Sequence, residues 1–375
     1  MGLIREIANA RRYFSATKAA PDITFYSESG IYYQNYKGTI EAILDKSKFK
    51  ILYITSDLED PIWDLDNDRI IPFYINKLVP FVFPFINTKS LVMTMADLNQ
   101  YHVKRSTNPV NHIYMFHAVN SIHLQYNHGA FDHYDTIFCV GQHHIEEIRK
   151  TEELYNMPPK ELIEVGYSWL EDIVTNYKQK LLNDNKILIA PSWSAGNILE
   201  SCLDTILEKL LPLQYEIVVR PHPEFIKRQG NRVKEIKQQY DGHQNFFLET
   251  ESTSSKNILE SALLITDWSG IAIEFAWGML KPVIYIDTPK KVHNLEYKKL
   301  GIEPLEDRIR NLNGTVLEPS DCVNIDIEIK KVLQNKEKNK ETLTKLRNEN
   351  IFNWGHSSEV GADYIIQYCN KNSMN

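Results

Sequence analysis

Short apolar runs alternate with helical patterns of apolar residues along most of the 375-residue chain. The runs are rich in Ile, Leu, Val and aromatic residues and are bounded by polar breaks, which is typical of strands buried on both faces. The predicted strands are 50–56, 90–96, 112–118 and 135–141 in the first half, and 186–192, 215–223, 261–267 and 281–287 in the second. Because helical patterns separate these strands, we predict an α/β protein with parallel sheets covered by helices.

A polar connector around 172–185 divides the chain into two halves of similar pattern. The predicted domains are 1–175 and 185–340, each doubly wound and Rossmann-like, followed by helices at 341–375 that would pack back on the first domain. Two such domains facing one another form a cleft, and ligands bind outside the carboxyl ends of the strands in sheets of this kind. Polar breaks at predicted strand ends therefore favour an enzyme with its site between the domains.

One of these breaks is a Thr-Asp-Trp-Ser-Gly turn between the strand at 261–267 and a helix. Ser269 is predicted to cap the helix, and Gly270 lets a ligand approach the backbone closely. The unpaired first amides of the helix favour an anion, and Glu274 lies one turn along the same face, where it could accept from ribose hydroxyls. Taken alone, such a turn more often caps only its own helix. The predicted binding residues here are Thr266, Asp267, Ser269, Gly270 and Glu274.

Two further breaks follow strands of the second half. In VVRPHPEF, Arg220 is adjacent to a proline and His222 lies between two prolines that restrict its backbone, and both side chains suit binding or proton transfer at a phosphate. In LIAPSWSAGN, the hydroxyls and the indole could contact phosphate or a base, although packing within the domain is an equal alternative. The candidate residues of this second break are Ser192, Trp193 and Ser194.

Composition and charge exclude several classes of protein. The net charge of −7 and the lack of a nucleic-acid motif argue against a DNA or RNA partner. The four cysteines lie far apart, which is typical of a reducing cytosol, and no run is long enough to span a membrane. Eight of the twelve histidines fall between 102 and 144, but their irregular spacing matches no metal motif. We expect a cytoplasmic protein without a tightly bound cofactor or metal.

Two segments suggest contact with a membrane surface. The first helix would place apolar residues on one face with basic residues around it, and the stretch LVPFVFPF at 78–85 carries three phenylalanines. A helix packed on the body of the protein and a buried strand are the alternative interpretation. The residues of the predicted amphipathic helix are Leu3, Ile4, Ile7 and Phe14, with Arg5, Arg11, Arg12 and Lys18.

The motifs APSW, RPHP and ITDWSGIAIEFA followed by KPVIYID, in this order and spacing, resemble the CDP-glycerol glycerophosphotransferase family over roughly residues 110–290. The resemblance implies a GT-B fold in which domain 1–175 is on the acceptor side and domain 185–340 binds the nucleotide. It also implies a catalytic histidine in the first domain, which YMFHAVNS matches at His117. It also matches Gly166 and Tyr167 in EVGYSWLED. The sequence departs from the family pattern at Phe116 and Ala118, at Ser168 and Trp169, and at Gly270, which stands where the family has a second serine.

The resemblance implies transfer of glycerol phosphate from CDP-glycerol to a hydroxyl of a cell-surface polysaccharide, a teichoic-acid-like polymer or a lipid-linked acceptor, with release of CMP. In this mechanism His117 is the base, Arg220 and His222 neutralise phosphate charge, and Mg²⁺ could accompany the diphosphate. Such a protein would act in cell-envelope or capsule synthesis, as a peripheral protein at the inner face of the membrane. The alternatives are a GT-B glycosyltransferase that uses a nucleotide sugar, a sugar-nucleotide 2-epimerase, and a non-catalytic nucleotide- or polymer-binding module.

Overall fold

The computed structural model describes residues 2–19, 22–176, 183–251 and 256–371. The chain forms two compact units. Unit 1 comprises Met1–Asp172, Asn294–Ile302 and Asn350–Asn375, and unit 2 comprises Ile173–His293 and Glu303–Glu349. Of the predicted connector 172–185, residues 177–182 lie outside the described ranges, and a strand begins directly after them.

Unit 1 contains a seven-stranded parallel sheet with the order β3-β2-β1-β4-β5-β6-β7. The residues of the central strands are buried because helices and loops cover both faces of the sheet. The strands are Ile23–Ser27 (β1), Ile51–Thr55 (β2), Ile70–Tyr74 (β3), Ser90–Met93 (β4), Asn111–Met115 (β5), Thr136–Cys139 (β6) and Glu161–Glu164 (β7).

The helices of unit 1 include the first and the last helix described. The last helix, Ser357–Lys371, packs against the helix Tyr33–Lys46, and its Asp363 forms an ion pair with Lys46 at 2.9 Å. The helices are Gly2–Ala16 (α1), Tyr33–Lys46 (α2), Val79–Val82 (α3), Ile122–Gln125 (α4), Gln142–Tyr155 (α5), Ser168–Asn176 (α6, which continues into unit 2) and Ser357–Lys371 (α16).

Unit 2 contains a six-stranded parallel sheet with the order β10-β9-β8-β11-β12-β13. Its strands are Asn183–Ile189 (β8), Glu216–Val219 (β9), Phe246–Leu248 (β10), Ser261–Thr266 (β11), Val283–Ile286 (β12) and Gly314–Leu317 (β13). Its helices are Ile198–Ser201 (α7), Leu203–Leu210 (α8), Pro223–Arg228 (α9), Gly230–Tyr240 (α10), Lys256–Glu260 (α11), Ile271–Ile273 (α12), Leu305–Asn313 (α13), Ile325–Gln334 (α14) and Lys336–Asn350 (α15, whose last residue belongs to unit 1).

The strand order reverses direction once in each sheet. In unit 1 the chain builds outward from β1 to β3 and then from β4 to β7, so the switch lies between β1 and β4. In unit 2 the corresponding switch lies between β8 and β11. Loops that leave adjacent strands in opposite directions open a crevice at their carboxyl ends, which is where doubly wound sheets bind ligands.

Each of the predicted strands overlaps a strand of the structure, and the predicted parallel α/β architecture is confirmed. The interpretation of 78–85 as a buried strand is wrong. This segment forms α3 and a 3₁₀ turn, because its two prolines cannot donate to a sheet but fit the first turn of a helix. Phe81 and Phe85 on this segment are 70% and 61% exposed.

The described residues include no helix with the length and apolar character needed to cross a membrane. All four cysteines have free thiols and are buried.

Candidate functional site

Two side chains join the loops that follow β8 and β11 at the switch in unit 2. The Asp267 carboxylate accepts from the amide of Ser192 at 2.7 Å and, more weakly, from the amide of Ile198 at 3.4 Å. The Thr266 hydroxyl donates to the carbonyl of Ala190 at 2.7 Å. Burial raises the pKa of Asp267, and the amides that it accepts from oppose that rise. Thr266 and Asp267 thus shape the crevice from within, and direct contact of either with substrate stays a prediction.

The loop after β8 is ordered by its own polar groups. The hydroxyls of Ser192 and Ser194 lie 2.9 Å apart and share a hydrogen bond. Asn197 accepts from the amide of Leu199 at 2.8 Å, which caps α7, and donates to the carbonyl of Ser194 at 2.8 Å. The Ser194 hydroxyl is half-buried and keeps further hydrogen-bonding capacity, whereas the Ser192 side chain is buried and also hydrogen-bonds to Asp267. Contact of either serine with phosphate or substrate stays a prediction.

The helix after β11 begins at Gly270 without a side-chain cap. The prediction that Ser269 caps this helix is therefore wrong: its carbonyl accepts from the amide of Ala272, but its hydroxyl takes no part. Uncapped amides at a helix start favour an anion. The helix continues from α12 as a π-helical segment, Glu274–Gly278, and such segments are frequent at functional sites.

Lys291, in the loop after β12, was not among the predicted site residues. Its ammonium group lies 5.6 Å from the centre of the Trp193 ring, and within the described ranges it forms no ion pair. Burial lowers the pKa of Lys291, and the negative charge of Asp267 opposes that shift. An unpaired, partly desolvated cation at the switch favours a negatively charged ligand. The PKK sequence directly after a strand end was the signal that could have found it.

Trp193 is at the centre of a cluster of basic and aromatic side chains. The guanidinium of Arg228 lies 4.6 Å from the indole, and the ring centres of His293 and His222 lie 5.3 and 6.4 Å from it. Packing within unit 2 and contact with a ligand are both compatible with this position, since the indole is only half-buried.

His222 caps the helix that follows it. Its Nδ1 accepts from the amide of Glu224 at 3.1 Å, so in the neutral ring the proton is on Nε2. Burial, and then the charge of Lys291, lower the pKa of His222 to about 4. The expectation that His222 supplies positive charge is therefore corrected: at neutral pH without ligand it is a neutral donor through Nε2, and the nearby cation is Lys291.

Arg220 leaves the end of β9 and is mostly buried. One of its terminal nitrogens lies 3.7 Å from a carboxylate oxygen of Glu249, whose side chain is also mostly buried. This ion pair holds the guanidinium at the carboxyl ends of the strands, as predicted from the sequence, and partly balances its charge. Its contact with phosphate stays a prediction.

His117 follows β5 in unit 1, at the carboxyl end of that sheet. The hydroxyl of Tyr167 donates to its carbonyl at 2.7 Å, and the Tyr32 ring packs edge-on against the imidazole at 5.1 Å. Its Nδ1 is buried, without a hydrogen-bond partner among the described residues. Burial lowers the pKa of His117 to about 4, although a backbone hydrogen bond with Thr94 opposes the shift. The imidazole is thus neutral at pH 7, the form that a base requires.

Gly166, which precedes Tyr167, adopts φ +101°. A Cβ at this position would collide with the carbonyl oxygen of Phe352 and the hydroxyl of Ser357. Glycine is therefore required here by both conformation and space. Gly166 and Tyr167 lie directly before α6. The close packing at Gly166 positions the next residue, Tyr167, whose hydroxyl donates to the carbonyl of His117.

The buried histidines of unit 1 hold backbone carbonyls. His143 and His144 contact the carbonyls of Val119 and Asn120 at 2.7 and 3.0 Å, and His123 contacts that of Ile302 at 3.1 Å. No group of three or more His, Cys, Asp or Glu side chains in the described part of the chain is arranged to hold a metal ion.

No family model matches the chain, and no curated protein is similar to it in sequence. Solved structures are similar to it in fold. A variant of the wall teichoic acid polymerase TagF is 15% identical with a TM-score of 0.62, over 99% of this chain and 96% of that one. A putative UDP-N-acetylglucosamine 2-epimerase from Listeria monocytogenes is 11% identical with a TM-score of 0.60, over 94% and 97% of the two chains.

The chain has a GT-B fold. A glycosyltransferase from Rickettsia africae ESF-5 is also similar, at 14% identity with a TM-score of 0.55, over 95% of this chain and 99% of that one. At these identities the likeness is one of fold, and it agrees with the fold that the sequence motifs imply. The chemistry has to be argued from the side chains of the two units.

Proposed function

We propose that the protein is a transferase that moves glycerol phosphate from CDP-glycerol to a hydroxyl of a cell-surface polysaccharide, a teichoic-acid-like polymer or a lipid-linked acceptor, releasing CMP. The observation that carries the proposal is the pair of positive groups that follow the neighbouring strands β11 and β12 at the carboxyl edge of the sheet in unit 2. There an uncapped helix start at Gly270 occurs together with the unpaired cation of Lys291. The motif resemblance supports this donor over other nucleotide conjugates, and the fold, which TagF and a UDP-N-acetylglucosamine 2-epimerase share, is compatible with it.

The donor diphosphate would bind where these positive groups meet. In this proposal the amides at the start of α12 and the ammonium of Lys291 contact the phosphate oxygens, and the Nε2 proton of His222 adds a neutral hydrogen bond. Arg220 adds charge as CMP departs. Glu274, on the first turns of the same helical segment, accepts from the ribose hydroxyls.

The chemical step is a displacement at the β-phosphorus. An acceptor oxygen forms a bond to this phosphorus while the bond to the bridging oxygen of CMP breaks, and His117 takes the proton of the acceptor hydroxyl. Phosphoryl transfer requires mainly positioning and electrostatic stabilisation from the protein, and a positioned base contributes a factor of about 10²–10⁴. A Mg²⁺ ion that accompanied the donor would be held chiefly by the diphosphate.

We also propose that unit 1 contacts an anionic membrane surface through an apolar patch. The patch consists of Leu3, Ile4 and Ile7 on α1 together with Phe81 and Phe85, all of them exposed. Exposed basic residues on the same helix would attract anionic lipid, as in interfacial helices.

A neighbouring face of α1, with Glu6, Ala10 and Tyr13 buried, fixes the helix on unit 1. Buried Glu6 accepts from the amides of Asn76 and Leu78 at 3.0 Å, which holds α1 beside the segment 78–85. Sedimentation with phosphatidylglycerol vesicles should therefore decrease in the double variant Ile4→Glu with Phe81→Glu. Leu295→Glu, a change at another exposed leucine, is the control; equal sedimentation of all three proteins would refute the patch.

The donor class is tested by a thermal-shift panel of CDP-glycerol, CDP-ribitol, UDP-sugars and CMP, followed by product analysis. A ligand that binds the folded state raises the unfolding temperature by mass action. We expect the largest shift with CDP-glycerol, followed by CMP release and transfer of label from the β-phosphate to the acceptor.

Other outcomes identify the alternatives. UDP release from a UDP-sugar would make the protein a glycosyltransferase, since the same fold serves that chemistry. A thermal shift without turnover of any donor would make it a binding module. Either result would replace the proposal.

A further inference from the structure

Arg310, on α13 in unit 2, is a buried cation that the proposed mechanism does not use. One terminal nitrogen of its guanidinium donates to the Asp287 carboxylate at 2.8 Å, and the other lies 3.4 Å from the carbonyl of Ile286. Its Nε is also buried and has no hydrogen-bond partner among the described residues. A buried guanidinium with an unpaired donor contributes little to stability, so folding stability alone does not account for this residue.

The guanidinium of Arg310 packs on the face of the Trp268 indole. Its central carbon lies 3.8 Å from the centre of the Trp268 ring, which is van der Waals distance. The edge of the same ring is held by a hydrogen bond from the indole Nε1 to the carbonyl of Thr288 at 2.8 Å. Trp268 is half-buried, so these two contacts fix a side chain that is partly in solvent.

Trp268 belongs to the turn that begins the helix of the proposed donor site. It lies two residues before Gly270, and α12 begins there without a side-chain cap. The orientation of the Gly270 and Ile271 amides therefore depends on the contacts that hold the turn. Asp267 holds it to the loop after β8. The contacts of Trp268 hold it on another side, to the loop after β12 and to α13.

The loop after β12 carries the second positive group of the proposed donor site. Asp287 and Thr288, the partners of Arg310 and Trp268, are the first residues of this loop, and Lys291 follows three residues later. Strand pairing fixes the ends of β11 and β12, whereas the separation of groups several residues beyond those ends depends on contacts between the loops. Arg310 and Trp268 supply such contacts, so they join the two loops from which the positive groups come.

We propose that Arg310 is a positioning residue of the donor site. Its guanidinium, held by Asp287, fixes the position of Trp268. The turn then keeps the amides at Gly270 at the distance from Lys291 that one diphosphate spans. The inference rests on the proposed function, because it concerns how that site keeps its geometry, and a misplacement of about 1 Å can cost about 10²-fold in rate.

Arginine suits this role because of its shape as well as its charge. A guanidinium is planar, so it covers an aromatic ring with its face while its N–H groups donate in the plane. Arg310→Lys keeps the positive charge and can still pair with Asp287, but an ammonium group has no flat face to pack on Trp268. This variant therefore separates positioning from the attraction that any cation at this place exerts on phosphate.

Isothermal titration calorimetry of the full chain with CDP, UDP, CMP and UMP tests the proposal. A diphosphate uses both positive groups at once, whereas a monophosphate can use either, so only the diphosphate depends on their separation. We expect Arg310→Lys to raise the Kd of CDP or UDP, whichever the wild type binds more tightly, by about tenfold, and the Kd of the matching monophosphate by less than about threefold. A defect of the fold alone would weaken both ligands alike.

Arg308→Lys, at an exposed arginine of the same helix, is the matched control and should leave both Kd values unchanged. Trp268→Leu removes the ring on which Arg310 packs and should give the same selective loss, so it tests the proposal independently if Arg310→Lys does not fold. In the double variant the two losses should not add, because either change alone breaks the same contact.

Three results would overturn the proposal: a wild-type Kd for the diphosphate in Arg310→Lys, an equal loss for monophosphate and diphosphate, or additive losses in the double variant. Failure of the donor assignment gives a different result. The wild type then binds UDP more tightly than CDP, and the selective loss in Arg310→Lys is still expected with UDP. A wild type that binds neither diphosphate would overturn both the donor site and this inference.

Discussion

Replacement of Lys291 by methionine tests the donor site most sharply, because the structure predicts opposite effects on binding and on folding. The ammonium group is partly desolvated and forms no ion pair with a described residue, and the buried Asp267 carboxylate, whose charge acts on it, keeps the two backbone amides that it accepts from when the ammonium is removed. The apolar part of methionine can still pack beside Trp193. We therefore expect the unliganded Lys291→Met protein to unfold at the wild-type temperature or slightly above it.

The expected loss of donor affinity is that of one charged hydrogen bond, the proposed one from the Lys291 ammonium to a phosphate oxygen of the donor. Two unit charges 4 Å apart interact with about 4 kcal/mol at an effective dielectric constant of about 20, and hydrogen bonds to charged groups contribute about 1.5–3 kcal/mol net. We take the net range, which corresponds to an increase in Kd of about 10- to 150-fold. Binding of cytidine, which lacks phosphate, should be unchanged.

Isothermal titration calorimetry with CDP-glycerol, CMP and cytidine measures these differences. Lys227→Met is the matched control, since this lysine belongs to the same unit and its side chain is 78% exposed. An unchanged Kd for CDP-glycerol in Lys291→Met would refute the reasoning. So would an equal loss of affinity for cytidine, because the residue would then act on the fold or on the base.

Further predictions concern the base, the ribose contact and the backbone of unit 1. His117→Ala should lower kcat by about 10²–10⁴-fold while CDP-glycerol binds unchanged in calorimetry; wild-type turnover would reject His117 as the base. Because the folded pKa of His117 is about 4, below the usual value near 6.5, the base form persists as pH falls and the acid limb of kcat/KM should lie near pH 4; a limb near 6.5 would contradict the burial argument. Glu274→Ala should raise the Kd of CMP about tenfold, and an unaltered Kd in calorimetry would remove the ribose role. Gly166→Ala should destabilise the fold by about 2 kcal/mol or more in urea unfolding, whereas Gly230→Ala, with open space at its Cβ, should not; equal effects would contradict the packing argument.

The sequence was informative where strands are buried on both faces. The apolar runs ILI at 187–189, ALLI at 262–265 and VIYI at 283–286 are buried within β8, β11 and β12, as the pattern predicts. Four of the strands that it missed, β3, β7, β10 and β13, lie at sheet edges. Edge strands are covered on fewer sides, so they carry mixed residues such as Pro72 within β3, which a central strand would not accept.

In the candidate site, too, only features that depend on neighbouring residues in the sequence could be predicted. The turn at 266–270 could be identified because a polar break after a buried strand can be read from the sequence itself. The lowered pKa values of His222 and Lys291 could not be predicted, because they depend on burial and on charged residues that are far apart in sequence and become neighbours only in the folded unit. The prediction that Ser269 caps the helix was wrong for a local reason. Serine is a suitable residue type for a helix cap, but the helix begins one residue later, with Gly270 in the cap position.

The central claim is that the positive groups at the switch in unit 2 hold a nucleotide diphosphate. A crystal structure of the protein soaked with CDP-glycerol tests it most directly. We expect density for the two phosphates within hydrogen-bonding distance of the amides of Gly270 and Ile271 and of Lys291 Nζ. Density for the diphosphate elsewhere on the chain, with these groups still facing solvent, would contradict it.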